Sequence, residues 1–297
     1  MSRRTIPSWF KRMVLPFWNG GHQVAWFLGE HADAIRRRRF EHCDVCGRFG
    51  PMLVRRRVVP SRLIDLWGLS TQEAEALVRK ESSDCFACGA KLRCRRMARV
   101  LLGLFDDGPG APSLRVWARG ERARTLRIAE INRIDGVHEA LEGLPGWVAS
   151  EYIEGARSGT IVAGVRSEDL TRLSYDDASF DLLLSSETLE HVPELDRALA
   201  EVRRVLVPGG VHVFTAPVRP DLERGFTRAV RHPSGRIEHL ATPIHHPGGD
   251  VGYPVFHEFG LDFADRVRAA GFAVEVHHGP VRLDDLAQVY VARRPPD

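Results

Sequence analysis

The sequence predicts an α/β protein built on an open, doubly wound sheet, and the evidence for this is clearest in residues 179–217. Phe180 to Leu184 is a short, continuous apolar run, which is the pattern of a strand buried on both faces of a parallel sheet. Residues 195–205 then repeat apolar side chains at helical spacing, and a Pro-Gly-Gly sequence ends that helix. Val211 to Ala216 returns as a second buried strand. Such a strand–helix–strand crossover binds ligands beyond the carboxyl ends of its strands.

Composition leaves room for one large domain and a small module. The chain has 297 residues, 43% hydrophobic content and a net charge of +3, which is too small to indicate nucleic acid binding by itself. Arginines concentrate in the N-terminal third of the chain. No run approaches the roughly 20 apolar residues that span a bilayer, and no secretory signal is recognisable. We therefore expect a cytoplasmic protein.

Residues 1–42 predict a basic helical segment. Ile6, Trp9, Met13 and Phe17 recur at helical spacing and form one apolar stripe flanked by basic residues. Such a segment can make peripheral membrane contact through residues 1–20. The alternative is a helix that packs its aromatic side on the main domain.

Two matched cysteine pairs follow within residues 43–105. Each pair has the form Cys-x-x-Cys-Gly, a tight turn in which both thiolates can face one ion and the glycine relieves backbone strain. Four sulfurs make a closed, tetrahedral structural site for zinc, or for iron in its place. Buried reduced cysteines are the alternative. The predicted ligands are Cys43, Cys46, Cys85 and Cys88, whereas Cys94 is expected to be a bystander.

The remaining chain divides into a linker and a sheet domain. Residues 106–122 are rich in turn formers and are predicted to be the linker, followed by a domain over residues 123–297. We expect seven strands in the domain: 125–131, 147–152, 160–165, 180–184, 211–216, 272–276 and 286–291.

Several motifs resemble a known family. Phe180-Asp181, the Leu-Glu-His-Val segment at 189–192 and the Arg-Val-Leu segment at 204–206 resemble the second half of the class I S-adenosylmethionine-dependent methyltransferases, closest to the type 11 group. The resemblance covers roughly residues 124–293. It implies a Rossmann-like, seven-stranded, doubly wound sheet. The cysteine module resembles the zinc ribbon that precedes some bacterial methyltransferase domains.

The resemblance also implies a cofactor site at the strand ends. Glu151 follows the second strand, where an acidic side chain accepts both ribose hydroxyls, and Asp169 matches the aspartate that the family places against the adenine. The alternatives are a surface glutamate at 151, and at 169 a helix-capping aspartate with Glu168 in the adenine role. The family's Gly-x-Gly turn after the first strand is missing here. In its place, Glu130 and Asn132 are expected to contact the ammonium and carboxylate of S-adenosylmethionine. Further expected cofactor contacts, at the end of the fourth strand, are Ser186 and Glu187.

Histidines supply the candidates for proton transfer. His191 follows the fourth strand, close to the expected methyl group, and His257 follows a polar insert at 219–256 that is expected to cover the substrate. A structural role for His191 remains the alternative. The adjacent pair His245 and His246, with His257, also suggests a metal, although no carboxylate spacing supports it.

Three functions remain open. The first is methyl transfer from S-adenosylmethionine to a small molecule or glycan, with the zinc module as scaffold. The second is a methyltransferase directed at RNA or protein, in which the arginines of the module bind the substrate. The third is a non-catalytic binding protein on a degenerate methyltransferase fold.

Overall fold

The computed structural model describes residues 39–54, 59, 61–106, 108, 110–246, 252–279 and 286–296, together with residues 32 and 36. The predicted helical segment of residues 1–42 and its membrane contact therefore lie almost entirely outside the described residues. The helices are α1 Ser61–Leu66, α2 Thr71–Ser82, α3 Leu92–Phe105, α4 Leu114–Trp117, α5 Glu121–Thr125, α6 Val137–Leu141, α7 Leu195–Val205 and α8 Phe263–Ala269. The strands up to the end of the central sheet's parallel part are β1 Arg39–His42, β2 Phe49–Val54, β3 Ser83–Cys85, β4 Ile128–Ile131, β5 Trp147–Ser150, β6 Ile161–Val162, β7 Val165–Arg166, β8 Phe180–Ser186 and β9 Leu206–Thr215. The later strands are β10 Phe226–Thr227, β11 Ala229–Arg231, β12 Ile237–His239, β13 His245–His246, β14 Tyr253–Pro254, β15 His257–Glu258, β16 Ala273–His277 and β17 Val289–Arg293.

The central sheet has the predicted doubly wound architecture. Its strand order is β16-β17-β9-β8-β4-β5, in which β5, β4, β8 and β9 are parallel and β17 is antiparallel to its neighbours. The chain moves outward from β4 to β5 in one direction and from β8 to β9 in the other. The switch point between β4 and β8 is where an open α/β sheet binds its ligand.

The sheet has six strands in the described residues, rather than the seven predicted. The expected third strand at 160–165 instead forms the hairpin β6–β7. Ala163 and Gly164 both have positive φ, 49° and 85°, and this left-handed pair turns the chain back after two residues. All that remains of a third parallel strand is a single bridge between Glu151 and Ser167.

Helices cover both faces of the sheet. On one face, the predicted apolar stripe of α7 is fully buried, and the stripe of α8 packs in the same core. On the other face, α3 packs against β9 and β17. Since α3 follows directly on the second cysteine pair, the core beneath it runs continuously from Cys43 and Cys85 to Leu182 and Val213 of the sheet.

The stretch predicted as a linker is also packed in this core. Leu114 and Trp117 of α4 are buried, and the Trp117 Nε1 donates a hydrogen bond to the Phe105 carbonyl at the end of α3. The N-terminal module and the sheet domain are therefore joined by shared apolar packing as well as by the chain.

The insert at 219–256 consists of short antiparallel ribbons. Within the described residues these are β11–β12 and β13–β14, and β10 pairs with β15 just beyond the insert. No helix in the described part of the chain is both long and apolar enough to cross a membrane.

Candidate active site and metal centre

A cavity of about 800 Å³ opens at the carboxyl ends of the parallel strands. Its floor is formed by residues after β4, β5 and β8. Leu63, Trp67 and Leu77 of the N-terminal module form one wall, and His245, His246 and Tyr253 of the insert form another. The cavity therefore lies at the switch point of the sheet. The N-terminal module and the insert at 219–256 enclose it.

The turn after β4 is built on Asn132 instead of glycine. Asn132 has φ of 60°, a left-handed conformation that asparagine adopts more readily than most residues. Its amide donates to the Thr188 Oγ1 at 3.3 Å, and its Oδ1 accepts from the Tyr152 backbone N–H at 3.2 Å. Asn132 lines the cavity and ties together the segments that follow three neighbouring strands.

Glu130 lies beneath this turn and is not among the residues that line the cavity. It is fully buried, and its two oxygens bond the Ile134 N–H at 2.7 Å and the His138 Nδ1 at 2.9 Å. The bond to Glu130 raises the pKa of His138. The structure thus gives Glu130 the role of holding the turn, which differs from the cofactor contact expected from the sequence.

Glu151 and Asp169 both line the cavity. Glu151 accepts a hydrogen bond from the Arg133 N–H through Oε1 at 2.9 Å. Asp169 accepts two hydrogen bonds from Thr171 through Oδ1, at 2.9 and 2.8 Å. In both residues one oxygen is fixed by the neighbouring backbone or hydroxyl, and no hydrogen bond from a described residue involves the other.

Ser186 and Glu187 at the end of β8 line the cavity and meet charged residues of the N-terminal module. Lys80 is 1% exposed and its Nζ lies 2.8 Å from the Glu187 Oε2. Arg93 donates to the Ser186 Oγ at 3.2 Å and pairs with Glu81. Burial disfavours the charged form of Glu187, but Lys80 and Arg93 outweigh it, so the pKa of Glu187 is lowered.

Glu190, His191 and His246 form a second polar cluster beside the cavity, and both histidines line it. The His191 Nδ1 donates to the Pro254 carbonyl at 2.8 Å, which leaves a lone pair on Nε2. The His246 Nδ1 lies 3.1 Å from that Nε2. Burial lowers the pKa of His191, and burial together with His191 lowers the pKa of His246 to about 4, so both are neutral near pH 7.

His257 lies away from this cavity. Its Nε2 donates to the carbonyls of Val192 and Pro193 at 3.0 and 3.3 Å, and it is 4% exposed. The ring holds the backbone just after His191, and burial lowers its pKa. This position differs from the one expected of a residue that accepts a proton from the substrate.

The four predicted cysteine ligands come together. The Cys43 and Cys88 sulfurs are 3.7 Å apart, those of Cys46 and Cys85 are 3.9 Å apart, and all four lie within 4.8 Å of one another. Four thiolates about 2.3 Å from a tetrahedral zinc would be about 3.8 Å apart.

The two cysteine turns have matching local structure. Gly47 and Gly89 have φ of 78° and 74°, as the predicted turns require, and each donates its N–H to the first cysteine carbonyl of its pair at 2.8 Å. Cys94 lies outside the cluster on α3, where burial raises its pKa to about 11.

Sequence reasoning missed the charged residues that α2 and α3 bring to the cavity. Lys80 does not itself line the cavity but pairs with Glu187, which does. A signal was present for Lys80, because it follows the buried residues Ala76 and Leu77 at helical spacing and so occupies the apolar face of α2. It also missed Glu190, which has no partner nearby in sequence except His191.

Residues 129–214 match the family model described as a methyltransferase domain. With the sheet order, this match identifies residues 129–214 as a methyltransferase domain, and the cysteine cluster precedes it.

Among curated proteins, a sarcosine/dimethylglycine N-methyltransferase from Halorhodospira halochloris is 45% identical over 47 residues, 16% of this chain and 17% of that protein. The methyltransferase GfsG of Streptomyces halstedii is 30% identical over 107 residues, 36% of this chain and 34% of that protein. The chain thus spans less than half the length of either relative.

Among solved structures, an S-adenosylmethionine-dependent methyltransferase from Mesorhizobium loti is 25% identical, with a TM-score of 0.38. The match covers 57% of this chain and 91% of that one.

Proposed function

We propose that this protein transfers a methyl group from S-adenosylmethionine to a small molecule or glycan. The observation that carries the proposal is the cavity of about 800 Å³ at the switch point of the sheet, lined by Asn132, Glu151 and Asp169 at the ends of successive strands. Small-molecule pockets of roughly 300–1,000 Å³ are typical of such sites. The volume suits a cofactor and a small acceptor held side by side.

The cofactor is assigned to the side of the cavity nearest β4 and β5. The free oxygen of Glu151 accepts the ribose hydroxyls, and the free oxygen of Asp169 accepts the adenine amino group. Asn132 lies at the methionine end. Glu187 lines the cavity, and its Oε1 has no hydrogen-bond partner among the described residues, so its carboxylate is assigned to the cofactor ammonium. Ser186 adds a hydroxyl at the same strand end.

Methyl transfer needs the acceptor in line with the carbon–sulfur bond. An oxygen–carbon or nitrogen–carbon bond forms, the carbon–sulfur bond breaks, and its electron pair stays on sulfur. The walls contributed by Trp67, Leu77 and the insert exclude water and hold the two reactants together. His191 is assigned to the proton that a hydroxyl acceptor loses, because its Nε2 carries the lone pair.

A small acceptor is favoured over RNA because the basic residues of α3, and Lys91 just before it, already have partners within the molecule. Each has a carboxylate or carbonyl partner: Lys91 with Asp135, Arg93 with Glu81, Arg95 with the Ser83 carbonyl, Arg96 with the Ala287 carbonyl and Arg99 with Asp44. These charges brace the fold and offer little to a phosphate backbone.

We further propose that Cys43, Cys46, Cys85 and Cys88 hold a structural zinc ion. The separations of the sulfurs and the two matched turns support this assignment. The ion would fix β1–β3 and the start of α3, and through them the module wall of the cavity.

Calorimetry with S-adenosylhomocysteine tests the cofactor assignment. We expect E151A and D169A each to weaken the affinity for S-adenosylhomocysteine by about tenfold or more, because each variant removes one or two hydrogen bonds to the bound ligand. E154A is the matched control, because Glu154 is exposed and lies outside the cavity lining. An absence of binding by the wild-type protein, or equal loss in E154A, would contradict the proposal.

A further inference from the structure

We propose a second metal site, for a divalent transition-metal ion, formed by Glu190, His191 and His246. It is separate from the four-cysteine cluster and lies against the acceptor side of the cavity. Two imidazoles and one carboxylate form the ligand set that proteins use for zinc and for non-haem iron(II) when positions on the ion are left open.

The three ligand atoms have the separations that one ion requires. The His191 Nε2 and the His246 Nδ1 are 3.1 Å apart, and the Glu190 Oε1 lies 3.5 Å from the first and 3.7 Å from the second. Ligand atoms about 2.1 Å from a tetrahedral ion are about 3.4 Å from one another. The triangle therefore fits one face of a tetrahedral site. The two rings are nearly perpendicular, at 86°, so their nitrogens converge without the rings stacking.

Glu190 is a buried carboxyl group whose charge is not compensated by the protein. It is fully buried, and neither of its oxygens has a hydrogen-bond partner among the described residues. A buried carboxylate without hydrogen bonds is strongly disfavoured unless a cation or a proton compensates it. Neighbouring charges do not supply one: Lys80 and Arg93 are matched by Glu187 and Glu81. A divalent ion would neutralise Glu190 and use the oxygens that the protein leaves unbonded.

Both histidines direct one ring nitrogen toward the proposed ion, His191 through Nε2 and His246 through Nδ1. The bond from the His191 Nδ1 to the Pro254 carbonyl fixes the proton on that atom and turns the Nε2 lone pair toward Glu190. Carbonyl bonds of this kind orient metal-binding histidines in known sites. His246 is placed by the pairing of β13 with β14, in which it lies opposite Tyr253. The insert thus contributes one ligand, and the turn after β8 contributes two.

An open coordination position would face the cavity, because His191 and His246 both line it. An ion there can bind a hydroxyl or carboxylate of the acceptor and make the hydroxyl easier to deprotonate. This consequence rests on the proposed methyl transfer. His191 would then act on the acceptor as a ligand of the ion, and an acceptor with an oxygen next to the methylated group would be preferred. The metal site itself does not depend on the reaction.

Zinc stoichiometry tests the site without cofactor or substrate. The full-length protein is dialysed to equilibrium against buffered Zn²⁺, and bound zinc is measured by atomic emission. We expect two zinc ions per chain for the wild type and one for H246A and for E190Q. H245A is the matched control: His245 adjoins His246 and lines the same cavity but is not part of the triangle. It should retain both ions.

Cobalt spectra identify which ion is lost. Four thiolates give cobalt intense sulfur-to-metal charge-transfer absorption, whereas a two-histidine, one-carboxylate site adds only weak visible bands. H246A should lose the weak bands and keep the charge-transfer bands. A single zinc ion in the wild type, or two in H246A, would overturn the proposal. His191 would then keep the role of accepting the acceptor's proton directly. Failure to bind S-adenosylhomocysteine would leave these counts unaffected, so the two proposals fail separately.

Discussion

At the scale of single residues, Asn132 shows how this chain forms the turn after β4 without the expected glycine. The left-handed backbone that the turn needs is retained, and the side chain adds bonds to Thr188 and to the Tyr152 N–H that glycine cannot make. The residue therefore combines a conformational role with a cross-linking one.

Substitution of Asn132 separates these two roles. N132G keeps access to positive φ but loses both bonds, whereas N132A loses the bonds and adds about 1–2 kcal/mol of strain. We expect the free energy of unfolding and the affinity for S-adenosylhomocysteine to fall in the order wild type, N132G, N132A. Urea unfolding and calorimetry measure the two quantities. Equal values for N132G and N132A would show that the left-handed conformation is not needed.

His212 predicts a loss of stability in acid. It is fully buried on β9, its Nε2 lies 2.9 Å from the Ser185 Oγ, and burial lowers its pKa to about 3. The unfolded chain binds a proton at His212 below about pH 6.5, whereas the folded chain does so only near pH 3. Between these values the unfolded state holds more protons, so stability falls as pH falls.

The H212Q variant isolates this contribution. Below about pH 6.5 the free energy of unfolding of the wild type should fall by about 1.4 kcal/mol per pH unit because of His212. From pH 7 to pH 5 the wild type should therefore lose about 2 kcal/mol more than H212Q. Urea titrations at both pH values measure the difference. Equal losses in the two proteins would mean that His212 is not held neutral.

At the scale of elements, the junction between α2 and the end of β8 is electrostatic. Lys80 on α2 and Glu187 after β8 are 107 positions apart in sequence and form a nearly buried ion pair. Breaking a buried pair leaves one charge unpaired in a poorly solvated place, which costs more than losing an exposed pair.

K80M should therefore be strongly destabilising, by about 3–5 kcal/mol. K80M/E187Q should recover part of that loss, since the double variant leaves no unpaired carboxylate. R197M is the control, because Arg197 and Glu194 form an exposed pair worth at most about 1 kcal/mol. Urea unfolding of the wild type, K80M, E187Q, K80M/E187Q and R197M measures these values. A double variant as unstable as the sum of the single variants would contradict the coupling.

At the scale of the whole molecule, the cysteine module and the methyltransferase domain form one packed unit. Their shared core and the wall that α1 and α2 give to the cavity make the cysteine cluster part of the cavity's support. Loss of the proposed zinc ion should therefore affect the domain as well as the module.

C46A tests this dependence. We expect a single unfolding transition at lower temperature, together with weaker binding of S-adenosylhomocysteine, because the module wall is no longer fixed. C94A is the control, since Cys94 is buried outside the cluster and should leave the zinc content unchanged. Differential scanning calorimetry distinguishes the outcomes. Two transitions, with the upper one unchanged, would show that the domains are energetically independent.

Much of this architecture follows from local sequence. The apolar run at Phe180, the helical stripe of α7 and the two Cys-x-x-Cys-Gly turns each encode their structure within a few residues. The prediction of a third strand at 160–165 was wrong. Ala163 and Gly164 adopt left-handed conformations, which an apolar sequence pattern does not reveal.

The sequence by itself determined the doubly wound sheet, the four clustered cysteines and the positions of Glu151 and Asp169 beside the cavity, because each depends on periodicity or short spacing. Only the tertiary structure decided that Arg93 lines the cavity and Lys80 pairs with Glu187, that Glu130 and His257 support backbone, and that Glu190 and His191 meet His246 across 55 positions. The physical reason is that these outcomes depend on which surfaces pack together, and burial then decides which charges must find partners.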